Sequence, residues 1–328
     1  MTASPTSWRD RDVLVTGGAG FLGSNLCHAL SLQGAHVRVI DDFLPDGGAT
    51  PANLRGVEVE LVRGDIGAID LEPLVRGADV IFNLAARTSH MDAQHDPFAD
   101  AAINVLAQLR LIAAARDEAP AAVVVHASTR QVYGRPRSLP VAEDHPVAPL
   151  DANAIAKLAG EQYWMLEHRT RAAPVVALRL TNCCGPRMRI RDGRQNFLGA
   201  WIGQVLRREP FEVWGGDQLR DVALVDDVAG AFLAAAETPA CRGRVFNIGG
   251  SVVATLRELA DMVVGASGEG ARYVMRDFPT ARSRIDIGSY HADDSAFRSA
   301  TGWSPATDLA AGLRQTIDWF RGHRADYL

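Results

Sequence analysis

The chain has 328 residues, 47% of them hydrophobic, which is enough for a large core in one or two domains. Charged residues make up 22% and the formal net charge is −5, without the basic excess of a nucleic-acid binder. A local arginine pocket can still hold an anionic ligand against such a net field. Residues 1–10 lack the apolar stretch of a secretory signal, and no apolar run approaches the roughly 18 residues of a membrane span. Cys27, Cys183, Cys184 and Cys241 sit at no metal-ligand or disulfide-framework spacing. The expectation is therefore reduced, buried thiols in a cytoplasmic protein with no metal, no membrane partner and no nucleic acid.

Nearly continuous apolar runs at residues 13–16, 36–40, 57–62, 80–84, 123–128 and 175–180 are predicted to be strands buried on both faces. Helical patterns at 21–33, 97–116 and 153–171 alternate with them. This alternation predicts an α/β fold with a doubly wound parallel sheet. After residue 180 the rhythm breaks and Gly, Pro and Arg become frequent. Residues 1–180 are predicted to form a nucleotide-binding domain and 181–328 a smaller α/β substrate domain. Segments near 223–249 are candidates to return to the sheet.

The first strand runs into Thr16-Gly17-Gly18-Ala19-Gly20-Phe21-Leu22-Gly23. Glycines at this spacing let backbone N–H groups approach a pyrophosphate, and the following helix presents its positive end to the same anion. A glycine pattern alone is weak evidence. Here a strand precedes it, a helix follows, and Asp41 and Asp42 come after the second strand, as a dinucleotide site requires. A carboxylate there accepts from ribose hydroxyls and repels a 2′-phosphate, which favours NAD over NADP. Asp65 and Ile66 follow the third strand, within reach of an adenine.

The motifs in order carry a resemblance over nearly the whole chain. They are the glycine turn, Asn83-Leu84-Ala85-Ala86, Ser128-Thr129-Arg130-Gln131-Val132-Tyr133-Gly134, Arg179-Leu180-Thr181-Asn182, Gly185-Pro186-Arg187, Gln218-Leu219-Arg220-Asp221, Val225-Asp226-Asp227-Val228 and Gly302-Trp303-Ser304-Pro305. The chain resembles the extended short-chain dehydrogenase/reductases that act on nucleoside-diphosphate sugars. The resemblance implies a Rossmann-type sheet, bound NAD, and a cofactor wall formed by Gly17, Gly20, Phe21, Leu22, Asp41, Asp42, Asp65, Ile66, Leu84, Ala85, Ala86 and Lys157.

Members of that family usually oxidise a sugar hydroxyl with a Ser/Thr, a Tyr and a Lys, the last two one helical turn apart. Thr129 and Lys157 match. Lys157 is the only lysine; every other member of the Lys+Arg total of 34 is arginine. Asn153 stands where the tyrosine belongs, and an amide cannot act as a general base. Three alternatives follow. Another group serves as base, with His90 after the fourth strand and Thr129 backed by a relay as candidates. Alternatively Asn153 only orients substrate and water, or the chain binds NAD and ligand without turnover. A catalytic thiol at Cys183 or Cys184 is a minor candidate.

The family's 4,6-dehydratases carry an acidic pair after the catalytic Thr, and its decarboxylases and mannose dehydratases a Glu two residues after it. Arg130 and Gln131 stand there instead. Eliminations need a protonatable acid for the leaving group, so the resemblance implies an epimerase working through a transient keto-sugar. It is similar to UDP-sugar 4-epimerases, and the loop after Asn83 is also similar to that of CDP-tyvelose 2-epimerases. A net sugar-nucleotide reductase or dehydrogenase and a non-catalytic binding protein stay open. On the substrate side the resemblance implies Thr129, Asn182, Gln195, Asn196 and Phe197, with Arg220 and Arg284 clamping the diphosphate through paired, charge-assisted hydrogen bonds. Arg187, Arg189, Arg191 and Arg194 form a basic run that is either substrate-binding or a solvated loop. It also implies a homodimer formed by the helices at 97–116 and 153–171.

Overall fold

Strands β1 (Asp12–Thr16), β2 (His36–Asp41), β3 (Glu60–Arg63), β4 (Val80–Asn83), β5 (Val123–Thr129) and β6 (Val175–Leu180) occupy the predicted apolar runs. They are followed by β7 (Asn182–Cys184), β8 (Phe211–Trp214), β9 (Leu219–Leu224), β10 (Arg244–Ile248), β11 (Val252–Thr255) and β12 (Tyr273–Arg276). The computed structural model describes residues 8–44, 47–194, 196–268 and 270–328, the side chains of 281 and 282 excepted. A seven-stranded sheet has the order β10-β6-β5-β4-β1-β2-β3, and every pair in it is parallel. The order reverses between β1 and β4, so a crevice opens at the carboxyl ends of those strands, where open α/β sheets bind ligands.

The sheet is apolar on both faces because successive side chains alternate. Val13, Val15, Val80 and Phe82 join Trp8, Phe232 and Phe246 in one core. Leu14 and Ile81 point the other way, into a second core with Ile40, Leu111 and Trp164. A third core holds Met188, Leu198, Trp201, Phe211, Leu259, Leu313 and Phe320. It lies among the small sheets β11-β9-β7 and β12-β8 and the helices Phe197–Leu206, Leu256–Ser267 and Leu309–Gly322. The helix Val225–Glu237 places Val228, Ala231 and Phe232 in the first core, while β10 extends the parallel sheet beside β6.

Two elements depart from the sequence prediction. The third strand begins at Glu60, not at residue 57, because this edge strand finds ladder partners on β2 only from Glu60 onward. The predicted helix at 97–116 is a composite of Pro97–Ala101, a π turn over Ala102–Leu106, and Ala107–Glu118. The π turn presses on the helix Ala152–Arg171 at Gly160, where a Cβ would come within 2.7 Å of the Asn104 carbonyl oxygen. As one run of 22 residues, Pro97–Glu118 is long and apolar enough by length and composition to cross a membrane. That corrects the expectation that no run reaches this length. Its Ala107, Leu111, Ile112 and Ala115 are buried in the second core.

Candidate active site

The amino-terminal half of the cleft is built on backbone. Gly17 has φ +70°, and a Cβ there would sit 2.8 Å from the Ala85 nitrogen. A Cβ on Gly23 would run into the Gly17 carbonyl oxygen. The two glycines thus let the turn fold against β4 and the helix Phe21–Leu32 start directly under it. That helix is N-capped by Gly20, with no side-chain cap and no acid in its first turn. Its first N–H groups therefore remain available to an anion, as a dinucleotide pyrophosphate requires. Asp41 is fixed by N–H groups of Ala19 and Phe43, each donating at 2.9 Å. Burial raises its carboxyl above the ordinary value, and the two N–H groups oppose that. Gly17, Gly20, Phe21, Leu22, Asp41, Asp42, Asp65, Ile66, Leu84, Ala85 and Ala86 all line this one cleft. A glycine cradle a Cβ would fill, a helix start without a cap and an oriented acid for ribose together fit NAD.

The cleft continues to Thr129, Asn153, Lys157 and His90. Lys157 is 9% exposed and donates to the Ala127 carbonyl at 3.1 Å. Burial pushes its ammonium down to about 8, with Asp100 opposing. Thr129 accepts from the Gln131 backbone N–H at 3.2 Å. The Asn153 amide is fully occupied as a donor, to the Arg87 carbonyl and to Asp100 Oδ1, both at 2.8 Å. His90 is the first residue of a short helix capped by Ser89. Its Nδ1 lies 3.0 Å from Asp151 Oδ2, and its Nε2 lies 3.4 Å from the Gln131 amide nitrogen.

On the substrate side Asn182, Asn196, Phe197 and Arg220 line the wall. Asn182 accepts from Arg130 Nη2 at 2.8 Å. Arg220 donates to the Gly288 carbonyl at 2.6 Å and pairs with Asp286 at 3.3 Å. Arg130 lies over the Tyr290 ring, 5.2 Å from its centroid, and burial followed by the charge of Arg220 pushes its guanidinium down to about 10. Arg284 is not in the wall. It stands exposed after the short helix Thr280–Ser283, and the next two residues, Ile285 and Asp286, line the cleft instead. Gln195 lies outside the described residues. Arg189, Arg191 and Arg194 reach the cleft, whereas Arg187 donates to Asn25 at 2.6 Å and lies over Trp319. All four cysteines are buried and free, and burial raises the Cys183 thiol well above its usual range, so a thiolate is disfavoured there.

The sequence reading passed over Asp151, Asp100, Asn104 and Asp286. Asp151 did carry a signal, as an Asp immediately before a helix. Its Oδ1 accepts from the Ala154 N–H at 2.8 Å. The others come from elements distant in sequence and left no local pattern.

A family model described as the NAD dependent epimerase/dehydratase family matches residues 13–249. The chain is 35% identical over 318 residues to a UDP-glucose 4-epimerase of Mycolicibacterium smegmatis, covering 94% of this chain and 98% of that protein. It is similar to the structure of a UDP-glucuronic acid 4-epimerase from Bacillus cereus in complex with UDP-glucuronic acid and NAD. There the TM-score is 0.84 and the identity 30%, over 95% of this chain and 99% of the other. A UDP-N-acetylglucosamine 4-epimerase from Methanobrevibacter ruminantium M1, in complex with UDP-N-acetylmuramic acid, gives a TM-score of 0.88 at 26% identity. The coverage is 96% of this chain and 99% of that one.

Proposed function

Because this chain belongs to the NAD-dependent epimerase/dehydratase family, we propose that it inverts one carbon of a nucleoside-diphosphate sugar through a transient ketone. NAD, when bound, supplies the hydride acceptor and returns the hydride. The protein holds the cofactor pyrophosphate at the start of the helix Phe21–Leu32, one ribose at Asp41 and the other at Lys157. Arg220 and Asn182 hold the sugar nucleotide's diphosphate, and Thr129 meets the sugar. The observation that carries the reading is the continuity of the cleft. It joins the pyrophosphate cradle to a buried guanidinium at Arg220, with Arg130 and Gln131, not acids, beside Thr129. Without a protonatable carboxyl there, elimination of water lacks its acid, whereas epimerisation needs none.

The test is incubation with UDP-, GDP- and CDP-sugars in heavy water, followed by proton NMR. Inversion without deuterium at the inverted carbon supports hydride return. Deuterium there points to enolisation, and net NADH formation points to a dehydrogenase. Binding of NAD and sugar nucleotide with no hydride transfer points to the non-catalytic alternative, which the occupied amide of Asn153 motivates.

We propose also that two copies associate through the helices at 97–118 and 152–171. Phe98, Leu106, Ile155, Tyr163 and Leu166 are exposed there, Leu106 at 60% and Ile155 at 56%. Their spacing places apolar side chains on one stripe of each helix, a pattern suited to isologous pairing.

A further inference from the structure

We propose that His90 and Asp151 act as a coupled pair in place of the missing tyrosine, His90 as proton acceptor and Asp151 as its positioning residue. The chemistry rests on the epimerase assignment above, while the pairing rests on geometry.

Asn153 cannot take this role, since its amide does not titrate and both of its donor bonds are committed. His90 lines the same cleft as Thr129 and Lys157. The Asp151 side chain is almost fully buried, and its two oxygens serve two ends. Oδ1 caps the helix that carries Asn153 and Lys157. Oδ2 lies 3.0 Å from His90 Nδ1, outside the geometry of a formed hydrogen bond. Burial works to raise the Asp151 carboxyl, but His90 and the helix N–H groups hold it below its ordinary value. A carboxylate beside Nδ1 keeps the proton on that nitrogen and leaves the Nε2 lone pair toward Gln131 and the cleft. The Gln131 amide is 3.4 Å away, long enough to be displaced by a hydroxyl, and its Oε1 is buried without a partner. Turning that amide over presents Oε1 to a protonated Nε2, so one side chain can serve both states of the ring.

The step balances within the bound pair. The carbinol O–H bond breaks and its proton goes to Nε2. The C–H bond breaks with both electrons as hydride, which the nicotinamide of bound NAD would accept, and the C=O bond forms. The reverse returns proton and hydride after the ketone has turned over. Other titratable and charged groups on these elements are Asp92 and His95 on the His90 helix, Asp96 and Asp100 on the next turns, Arg87 in the preceding loop, Arg130 beside Gln131, and Lys157 and Glu161 on the long helix. Among the described residues Asp151 alone forms an ion pair with His90.

Asp151→Asn is the decisive variant, because asparagine caps a helix as well as aspartate does while removing the charge. The expected result is a kcat fall of about tenfold or more, with KM for the sugar nucleotide and the thermal midpoint near wild type. His90→Gln should lose about a hundredfold or more in kcat while binding NAD normally. Asp151→Ser, a second capping residue, replaces Asp151→Asn if that protein fails to fold. Wild-type kcat in Asp151→Asn overturns the pair. If the wild-type protein turns over no sugar, the epimerase assignment fails and the catalytic use of the pair fails with it. Equal kcat in the wild-type and Asp151→Asn proteins would instead sink the pair alone.

Discussion

Glu161 has no exposed surface, yet it is held from two sides. Arg179 donates to it at 2.6 and 2.9 Å and Ser128 at 2.6 Å, while the Arg179 guanidinium lies over Tyr133 at 4.8 Å from the ring centroid. Burial works against the Arg179 charge, and the Glu161 carboxylate more than restores it. Glu161→Gln would leave a buried guanidinium facing a neutral amide. We expect it to destabilise the fold by about 3–5 kcal/mol in urea unfolding, and a loss under about 1 kcal/mol would show that charge is not what this pair contributes. At this scale the sequence was informative where a residue type stood out against composition or spacing. Lys157 stood out as the sole lysine and Asn153 as a misfit in a motif. Arg284 was misplaced because its motif says which segment reaches the cleft but not which of three consecutive side chains faces it. Asp286 is the one that meets Arg220.

Among the elements, the glycine turn and the helix after it were legible in full, since a pyrophosphate cradle demands particular residues at particular steps. Gly23→Ala should push the turn away from the cleft, because the new methyl meets the Gly17 carbonyl. The expected outcome by calorimetry is a Kd for NAD raised about tenfold or more, roughly 1.4 kcal/mol. Gly230→Ala is the control. It lies in the helix Val225–Glu237, and its Cβ would meet nothing nearer than 3.6 Å. It should leave NAD binding unchanged and stabilise the protein by about 0.4–1 kcal/mol. The π turn at Ala102–Leu106 was not legible, because its apolar residues continue the helical period and the extra residue per turn is set by packing on Gly160. That packing leaves the Asn104 side-chain oxygen buried without a partner, in keeping with the habit of such turns to lie beside functional sites.

At the scale of the molecule, the doubly wound parallel sheet was readable because six short apolar runs alternating with helices leave few ways to build anything else. The later strands were harder. β7, β8, β11 and β12 are only three or four residues long, too short for periodicity to distinguish from loop, and their pairing is decided by the third core. Association of two copies is tested by light scattering after size exclusion. The wild-type protein should run as a dimer, and Leu106→Asp with Ile155→Asp should give a folded monomer with an unchanged circular dichroism spectrum. A monomeric wild type would discard the two-helix interface.

One more property follows from the chain's single lysine. Apart from the α-amino group, the whole protein offers chemists one aliphatic amine, and it lies in the cofactor cleft with its proton loosened to about 8. A mild acylating reagent at about pH 8.5, where a good part of this amine is neutral, should mark Lys157 without a background of surface sites. Saturating NAD should shield it. Peptide mass mapping would then report occupancy of the cleft directly, with no need for a substrate. Equal marking with and without NAD would mean the ammonium does not meet the ribose.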